Sequence, residues 1–327
     1  MQDKLISIIK KFAEQRIVIL GDAIADKFLH GAISRVSREA PVFILRHQHT
    51  ETLPGGAANC AMNLVALGAH VSLISVTGDD ESGSELRAKL EGAGVNIDGV
   101  IVSDRLETTT KVRIFAGQSH SSKQQVIRID YEGAPLDDEE IRSAILNRLK
   151  QALNDASGVV ISDYNYGVVD SRGAELIRQH ANVPVLVDSR FRLSEFTGFT
   201  AATPNEDEVE NLAGAAISST EDLESAAKAL KARLGHHSLL VTRGSQGMTL
   251  LEGEASPVHI PAVGAQQAVD VTGAGDTVIA TFALALASGA SFTDAARLAN
   301  YAGGLVVMKR GTATVSAGEL EHAIRQD

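Results

Sequence analysis

Five short runs of apolar, largely β-branched residues punctuate the chain: RIVILGD at 16–22, VSLISVTG at 71–78, GVVISDY at 158–164, VPVLVDS at 183–189 and SLLVTRG at 238–244. They are continuous instead of alternating, so each predicts a strand buried on both faces. Such a strand needs cover on either side. Between and after the runs, helical spacing predicts helices at about 57–68, 82–93, 137–154, 171–181, 206–213, 220–234, 275–288 and 293–308. The alternation of strand and helix predicts an α/β fold: a mostly parallel central sheet between two helical layers.

Two stretches break this rhythm. ISRVSREAPVFILRHQHTET (33–52) and TTTKVRIFAGQSHSSKQQVIRIDY (108–131) alternate with period two and carry polar and basic residues on one face. They predict a small, half-exposed antiparallel sheet, an appendage able to cover a cleft or to pair with another subunit. No Pro- or Gly-rich linker and no internal repeat divides the sequence, so a single domain over 1–327 is expected, with inserts at about 33–52 and 108–131.

Forty-one acidic residues against 30 basic ones give a net charge of −11, which argues against nucleic acid or an anionic membrane surface as partner. The single cysteine, Cys60, lies in the apolar run AANCAMNLVALG and reads as a buried core thiol. The N-terminal MQDKLISIIKKFAEQ has helical spacing and lacks a signal-peptide pattern, and no segment approaches the ~18 uninterrupted apolar residues of a membrane span. A cytoplasmic protein is the expectation.

The chemistry concentrates at DVTGAGD (270–276), which leads directly into the apolar helical run TVIATFALALASG. Gly273, Ala274 and Gly275 lack bulk, and a helix that starts among them points unpaired N–H groups back at the loop, an anion hole. Asp276 then stands in the first turn. It reads equally well as a helix-stabilising acid or as a general base beside a transferring phosphoryl group. Neither a G-x-x-x-x-G-K-[ST] loop nor a G-x-G-x-x-G fingerprint after the first strand is present, so the usual NTPase and dinucleotide readings lack support. In TPNEDE (203–208), Asn205 and Glu208 share a helix face, suited to hydrated Mg²⁺ or phosphate, or simply to capping the helix. VTRGSQGM (241–248) follows a buried strand with a Gly-rich stretch that also reads as a hairpin turn.

The order of Gly21-Asp22 after the first strand, PGGAANCAMNLVALG (54–68), TPNEDE and DVTGAGDTVIA (270–280) resembles the ribokinase-like carbohydrate kinases, the PfkB family, from about residue 16 to the end. The resemblance implies a ribokinase-like three-layer α/β/α sandwich with a β-sheet lid over a sugar, and ATP-dependent phosphorylation of a sugar hydroxyl. It assigns Asp276 as catalytic base and Gly273 to Gly275 as the anion hole. Asn205 and Glu208 would order Mg²⁺ and the nucleotide phosphates. Thr242, Gly244 and Gly247 would form the nucleotide loop, with Asn300 and Gly303 near the adenine. Asp22, Asp26, Gly55, Gly56 and Asn59 fall at sugar-binding positions. Asp270 and Thr272, with GTATVS (311–316), resemble a monovalent-cation (K⁺) site.

Within the family, SRVSREAPVFIL (34–45), TTTKVRI (108–114), QQVIRIDYE (124–132) and VTRGSQGMTLL (241–251) are similar to kinases that phosphorylate D-glycero-D-manno-heptose 7-phosphate at its anomeric hydroxyl. A phosphorylated sugar needs cations at the far end of its pocket. Lys111, Arg113 and Arg128 on the lid strands, with Arg35 and Arg38 in the other insert, are the candidates; each also fits a solvated sheet face. Where the family leads one to expect Asp-Pro-Lys, this chain has Asp188-Ser189-Arg190, and the lid loop GQSHSSK (117–123) looks long. The sequence ends at Asp327 without the nucleotidyltransferase domain of many heptose kinases, so adenylyl transfer is expected of another protein. A homodimer joined through the lid is expected from its exposed strands. Kinases of ribose or fructose phosphate, a non-catalytic sugar-binding module and an NAD-dependent oxidoreductase stand as alternatives.

Overall fold

The computed structural model describes residues 1–117, 123–264 and 268–327. Among these residues thirteen strands follow one another as β1 (Arg16–Gly21), β2 (Ala23–Val36), β3 (Phe43–Gly56), β4 (His70–Gly78), β5 (Val100–Ser103), β6 (Thr110–Gly117), β7 (Gln124–Tyr131), β8 (Gly158–Asp163), β9 (Val185–Ser189), β10 (Ala201–Ala202), β11 (Ser238–Thr242), β12 (Met248–Glu252) and β13 (Val258–Ile260). The helices are α1 (Gln2–Ile9), α2 (Ala57–Ala66), α3 (Glu81–Ala93), α4 (Glu139–Ala152), α5 (Ser171–His180), α6 (Glu206–Ala213), α7 (Thr220–Leu234), α8 (Ala274–Ala287), α9 (Phe292–Val306) and α10 (Ala317–Gln326).

Nine strands form one sheet in the order β13-β12-β11-β10-β9-β8-β1-β4-β5, parallel from β11 to β5 and antiparallel where β12 and β13 join. The five apolar runs are five of these strands. Successive residues serve opposite faces: Ile17, Ile19, Val160, Leu186 and Leu240 enter one core with α1, α2, α3, α8, α9 and α10. Their neighbours Val18, Leu20, Val159, Ile161, Val187 and Val241 enter a second core with α4, α5, α6 and α7. Each such side chain gains about 1.5–3 kcal/mol from burial, which is why the strands read as unbroken apolar runs. The three layers follow. No helix among the described residues is long and apolar enough to cross a membrane.

The second sheet has the order β3-β2-β6-β7. Its β2–β3 hairpin extends beyond the expected insert at 33–52, pairing Ala23 with Gly56 at one end and Val36 with Phe43 at the other. The alternation escapes notice at its root because Ala23, Ile24, Ala25 and Phe28 are all buried there. β6 and β7 pair antiparallel with Thr110 opposite Tyr131 and Arg113 opposite Arg128, close to the expected bounds. β7 is exposed along its whole length. Most of the long lid loop singled out above, residues 118–122, lies outside the described residues.

Candidate active site

The parallel strands end at one edge of the main sheet, where an α/β architecture leaves its binding crevice. A cleft of about 570 Å³ opens there. Its floor comes from strand ends and helix starts: Asp163 ends β8, Asp188 lies near the end of β9, Thr242 ends β11, Asn205 and Glu208 start α6, and Gly273 to Asp276 start α8. Its roof is the inner face of the lid, with Asp26, Lys111, Arg113 and Arg128. Arg190 lines it as well.

Helix α8 begins without a side-chain cap, because its N-cap is Gly273 at φ 77°. A Cβ there would lie 2.4 Å from the Asn59 amide nitrogen, so the position combines a left-handed backbone with a close approach that glycine alone permits. Ala274 N–H bonds to the Val271 carbonyl, whereas the amides of Gly275 and Asp276 make no hydrogen bond among the described residues. Two bare donors at a helix N-terminus therefore face the cleft, the arrangement expected of an anion hole.

Asp276 is buried, and its carboxylate accepts two hydrogen bonds, from Asn59 Nδ2 at 2.8 Å to Oδ2 and from the Tyr164 hydroxyl at 3.0 Å to Oδ1. Burial pushes its pKa up to about 7; the two donors pull the other way, and the nearby Asp26 adds to the rise. The Asn59 amide is itself fixed in orientation. Asn63 Nδ2 donates to Asn59 Oδ1 at 3.3 Å, and the Thr277 hydroxyl donates to Asn63 Oδ1, so Asn59 turns its nitrogen toward Asp276. Asn59, expected among the sugar ligands, is thus a fully buried partner of the carboxylate and does not line the cleft.

Asp26 on β2 lines the cleft and is held by Arg113 at 2.5 Å. Burial raises its pKa against the pull of Arg113, and Gly55 leaves room for it: a Cβ there would stand 2.5 Å from Asp26 Oδ2. Lys111 lies 3.8 Å from Glu132 and above the rings of Tyr164 and Tyr166, at 6.0 and 5.5 Å. Desolvation lowers its pKa. Arg128 is half exposed and pairs with Asp130 at 2.8 Å. Arg35 and Arg38 are exposed on the distal part of the β2–β3 hairpin and line no part of the cleft, because the hairpin runs outward past it.

Asp22 also departs from expectation. Its carboxylate accepts the backbone amides of Tyr164, Tyr166 and Val168, at 2.8, 3.2 and 3.2 Å, and lies outside the cleft. It is a clip for the segment after β8, and burial carries its pKa up to about 6 despite those three donors. Asn205 and Glu208 form a capping box, Asn205 Oδ1 accepting Glu208 N–H at 2.8 Å and Glu208 Oε2 accepting Asn205 N–H at 2.9 Å. The capping role and a place on the cleft wall coexist. Asp188 is driven well above the usual carboxylate range by burial and by the charges of Glu208, Asp276 and Asp163, with Arg190 opposing.

A second, apolar pocket of about 230 Å³ adjoins the cleft and shares Thr242, Val271 and Gly275 with it. Gly244, Gly247, Ala274 and Gly303 line it beside Met248 and Val278. The Gly-rich stretch after β11 is both a β11–β12 hairpin connection and part of this wall. Asn300 lies on the wall too, but its Nδ2 donates to the Pro261 carbonyl at 2.7 Å, so it braces the pocket.

Among the described residues no three His, Cys, Asp or Glu side chains converge as a ready-made metal cage. The floor carboxylates instead fit a hard cation that keeps most of its waters and arrives with phosphate oxygens. Asp270, at the back of the loop, accepts Thr272 N–H and Gly311 N–H at 2.9 Å each. The nearby Thr312 hydroxyl is buried and has no hydrogen-bond partner among the described residues.

Tyr164, Asp163 and Tyr166 are site residues that the sequence reading passed over. For Asp163 and Tyr164 the signal is the polar SDY that closes the apolar run GVVI, at the strand end where a parallel sheet places its chemistry; Tyr166, two residues beyond, lies outside it.

The profile of the pfkB family carbohydrate kinases matches residues 15–317. The chain is 42% identical over 321 residues to the bifunctional protein HldE of Alcanivorax borkumensis, covering 98% of this chain and 65% of that one. It is 40% identical to the HldE proteins of Aeromonas salmonicida and Coxiella burnetii, covering 96% and 100% of this chain and 64% and 66% of theirs. The chain therefore spans somewhat under two thirds of the length of these relatives. In fold it is similar to the ribokinase of Arabidopsis thaliana complexed with ribose and ATP, with a TM-score of 0.74 at 23% identity over 95% of this chain and 98% of the other. The phosphofructokinase-2 of Escherichia coli in complex with potassium superposes with a TM-score of 0.77 at 18% identity, again over 95% and 98%. The chain belongs to the pfkB family of carbohydrate kinases, and is a phosphotransferase acting on a sugar.

Proposed function

We propose that this kinase transfers the γ-phosphoryl group of ATP to the anomeric hydroxyl of D-glycero-D-manno-heptose 7-phosphate, forming the 1,7-bisphosphate on the way to ADP-heptose. The observation that carries the reading is the pairing of a buried carboxylate, Asp276, and two bare helix amides in the floor with a cationic roof overhead. Residues 1–327 act as one kinase unit in which the four-stranded sheet is the lid.

The apolar pocket takes the adenine, and the triphosphate runs from it past Thr242 and Gly275 into the polar cleft. The amides of Gly275 and Asp276 receive the transferring phosphoryl group, whose charge spreads over its equatorial oxygens. Asp276, with its pKa raised to about 7, takes the proton from the anomeric hydroxyl as that oxygen attacks in line. Asp26, held by Arg113, and the backbone at Gly55 and Gly56 bind the sugar hydroxyls. Lys111 and Arg128 bind the distal phosphate; Lys111, desolvated and with its nearest carboxylate 3.8 Å away, gains most from an incoming anion. Asn205, Glu208 and Asp188 would hold hydrated Mg²⁺, which would supply positive charge to the phosphates. Asp270, Thr272 and the Thr312 hydroxyl would hold K⁺ behind the anion hole.

Two copies pair through the outer face of the lid. Ile127, Ile129 and Tyr131 alternate along β7 and are 54%, 42% and 54% exposed, an apolar surface on a strand that is otherwise a hazard.

A coupled assay of ADP release tests the substrate. Heptose 7-phosphate is expected to turn over far faster than heptose, ribose or fructose 6-phosphate. Strong activity on ribose with none on heptose 7-phosphate would overturn the choice, and sugar binding without ADP release would favour a non-catalytic module.

A further inference from the structure

We propose that Tyr164 is a positioning residue for the catalytic base: its hydroxyl aims the Asp276 carboxylate and ties that aim to the position of the lid. The inference rests on the reading of Asp276 as base. Its hydroxyl donates to Asp276 Oδ1 at 3.0 Å, while Asn59 holds Oδ2 at 2.8 Å. Two donors on two oxygens fix the plane of the carboxylate and leave one lone pair free on each oxygen to take the proton of the attacking hydroxyl. Burial and the neighbouring Asp276 and Asp188 charges raise the phenol pKa well above its ordinary value, so Tyr164 stays a donor over the working range.

The side chain is anchored from its own backbone. Tyr164 N–H donates to Asp22 at 2.8 Å, and the same buried carboxylate takes the amides of Tyr166 and Val168. Between the tyrosines stands Asn165 at φ 66°, the non-glycine residue with positive φ among those described, with Arg192 Nη1 donating to its side-chain oxygen at 3.3 Å. A left-handed asparagine costs energy and persists where its surroundings enforce it. The turn it makes sends Tyr164 down to Asp276 and Tyr166 up to the lid, where its hydroxyl donates to Glu132.

Lys111 completes the link. It projects from β6 over both rings and lies beside Glu132, so one lid cation touches the residue that aims the base and the residue that holds the lid. The turn that aims the base is thus the turn that meets the lid.

The groups that face Asp276 are Asn59 from α2, Tyr164 from the turn after β8, and Asp26 from the lid; Asp188 near the end of β9 is also charged nearby, and the buried Cys60 thiol of α2, pushed up by burial and by the Asp276 charge, stays protonated. Removing the Tyr164 hydroxyl takes away a donor to the charged form, so the base should become harder to ionise. In Tyr164→Phe the acidic limb of the kcat–pH profile is expected to move up by roughly 0.5–1 unit, on the scale of one lost hydrogen bond to a carboxylate. KM for ATP should change less than the pH profile, since Tyr164 lines the polar cleft and not the apolar pocket. A purely structural role would lower turnover evenly at every pH, and an unmoved limb overturns the proposal. Should Tyr164→Phe fail to fold, ring-fluorinated tyrosine at this position, a stronger donor of nearly the same size, carries the test: a limb moved down supports the proposal and an unmoved limb overturns it. Asp276→Asn measured alongside separates the two readings. If that variant keeps its turnover, the base assignment has failed; if it loses turnover and the Tyr164→Phe limb stays put, the positioning role alone has failed.

Discussion

The floor and the roof of the cleft carry opposite charge for opposite reasons. In the floor, Asp163, Asp188, Glu208 and Asp276 are gathered at strand ends and helix starts, and burial raises the pKa of each. In the roof, Lys111 and Arg113 stand largely buried on β6 and Arg128 half exposed on β7, and each has a carboxylate nearby: Arg113 with Asp26, Lys111 with Glu132, Arg128 with Asp130. The floor is costly to assemble and cannot rearrange, as a site for proton transfer requires. The roof grades from the buried Arg113–Asp26 pair to the half-exposed Arg128–Asp130 pair, and its cations meet carboxylates that an anionic substrate can replace, as a site for recognising such a substrate requires.

Substitutions should therefore separate by region. The largest effect is expected in the floor: Asp276→Asn should lower kcat by at least ~10²-fold, the scale of general-base catalysis, with little change in sugar KM. Near-normal turnover would break the comparison. In the roof, Lys111→Met should raise KM for the phosphorylated sugar by about 10–100-fold, as for one charge-assisted contact, with a smaller change in kcat. Loss confined to kcat would place Lys111 with the floor instead.

A third test uses stability. The folded pKa of Asp276, about 7, lies above the ordinary carboxylate value of 3.8. The folded state thus holds a proton that the unfolded chain gives up earlier; the contribution is complete below pH ~4 and is lost as pH rises through about 7. Asp276→Asn, neutral throughout, should therefore exceed the parent in thermal stability by roughly 1–3 kcal/mol at pH 8 and match it near pH 4. Thermal melts across that range check the sign. The smallest effect on the chemistry is expected from the outer face of the lid. Ile127→Asp should turn a dimer into a monomer in sedimentation while leaving the melting temperature within a degree or two, since the side chain is largely exposed within one chain.

The sequence was most legible where a single physical demand dominated. Strands buried on both faces leave unbroken apolar runs, so RIVIL, GVVIS and SLLVT marked the sheet, and α6 and α7 fell at 206–213 and 220–234 as expected. DVTGAGD was legible because a bare helix start needs small residues. Legibility failed where one residue type answers to two demands. Asp22 and Asn59 have the chemistry of sugar ligands, yet their partners are backbone amides and a buried carboxylate contributed from 142 to 217 positions away. Asn300 braces Pro261 for the same kind of reason. Arg35 and Arg38 looked like Lys111 and Arg128 in alternation, and only the length of the β2–β3 hairpin places them beyond the cleft. Tyr164 stood unmarked because a tyrosine after a strand ordinarily signals packing.

The central claim is that the floor performs the transfer and the roof reads the distal phosphate. It is tested most directly by measuring kcat/KM for heptose 7-phosphate and for unphosphorylated heptose with the parent enzyme and Lys111→Met. If Lys111 binds that phosphate, removing the lysine and removing the phosphate overlap: the substitution costs about 10–100-fold with heptose 7-phosphate and almost nothing with heptose. Equal losses on both sugars would contradict the account.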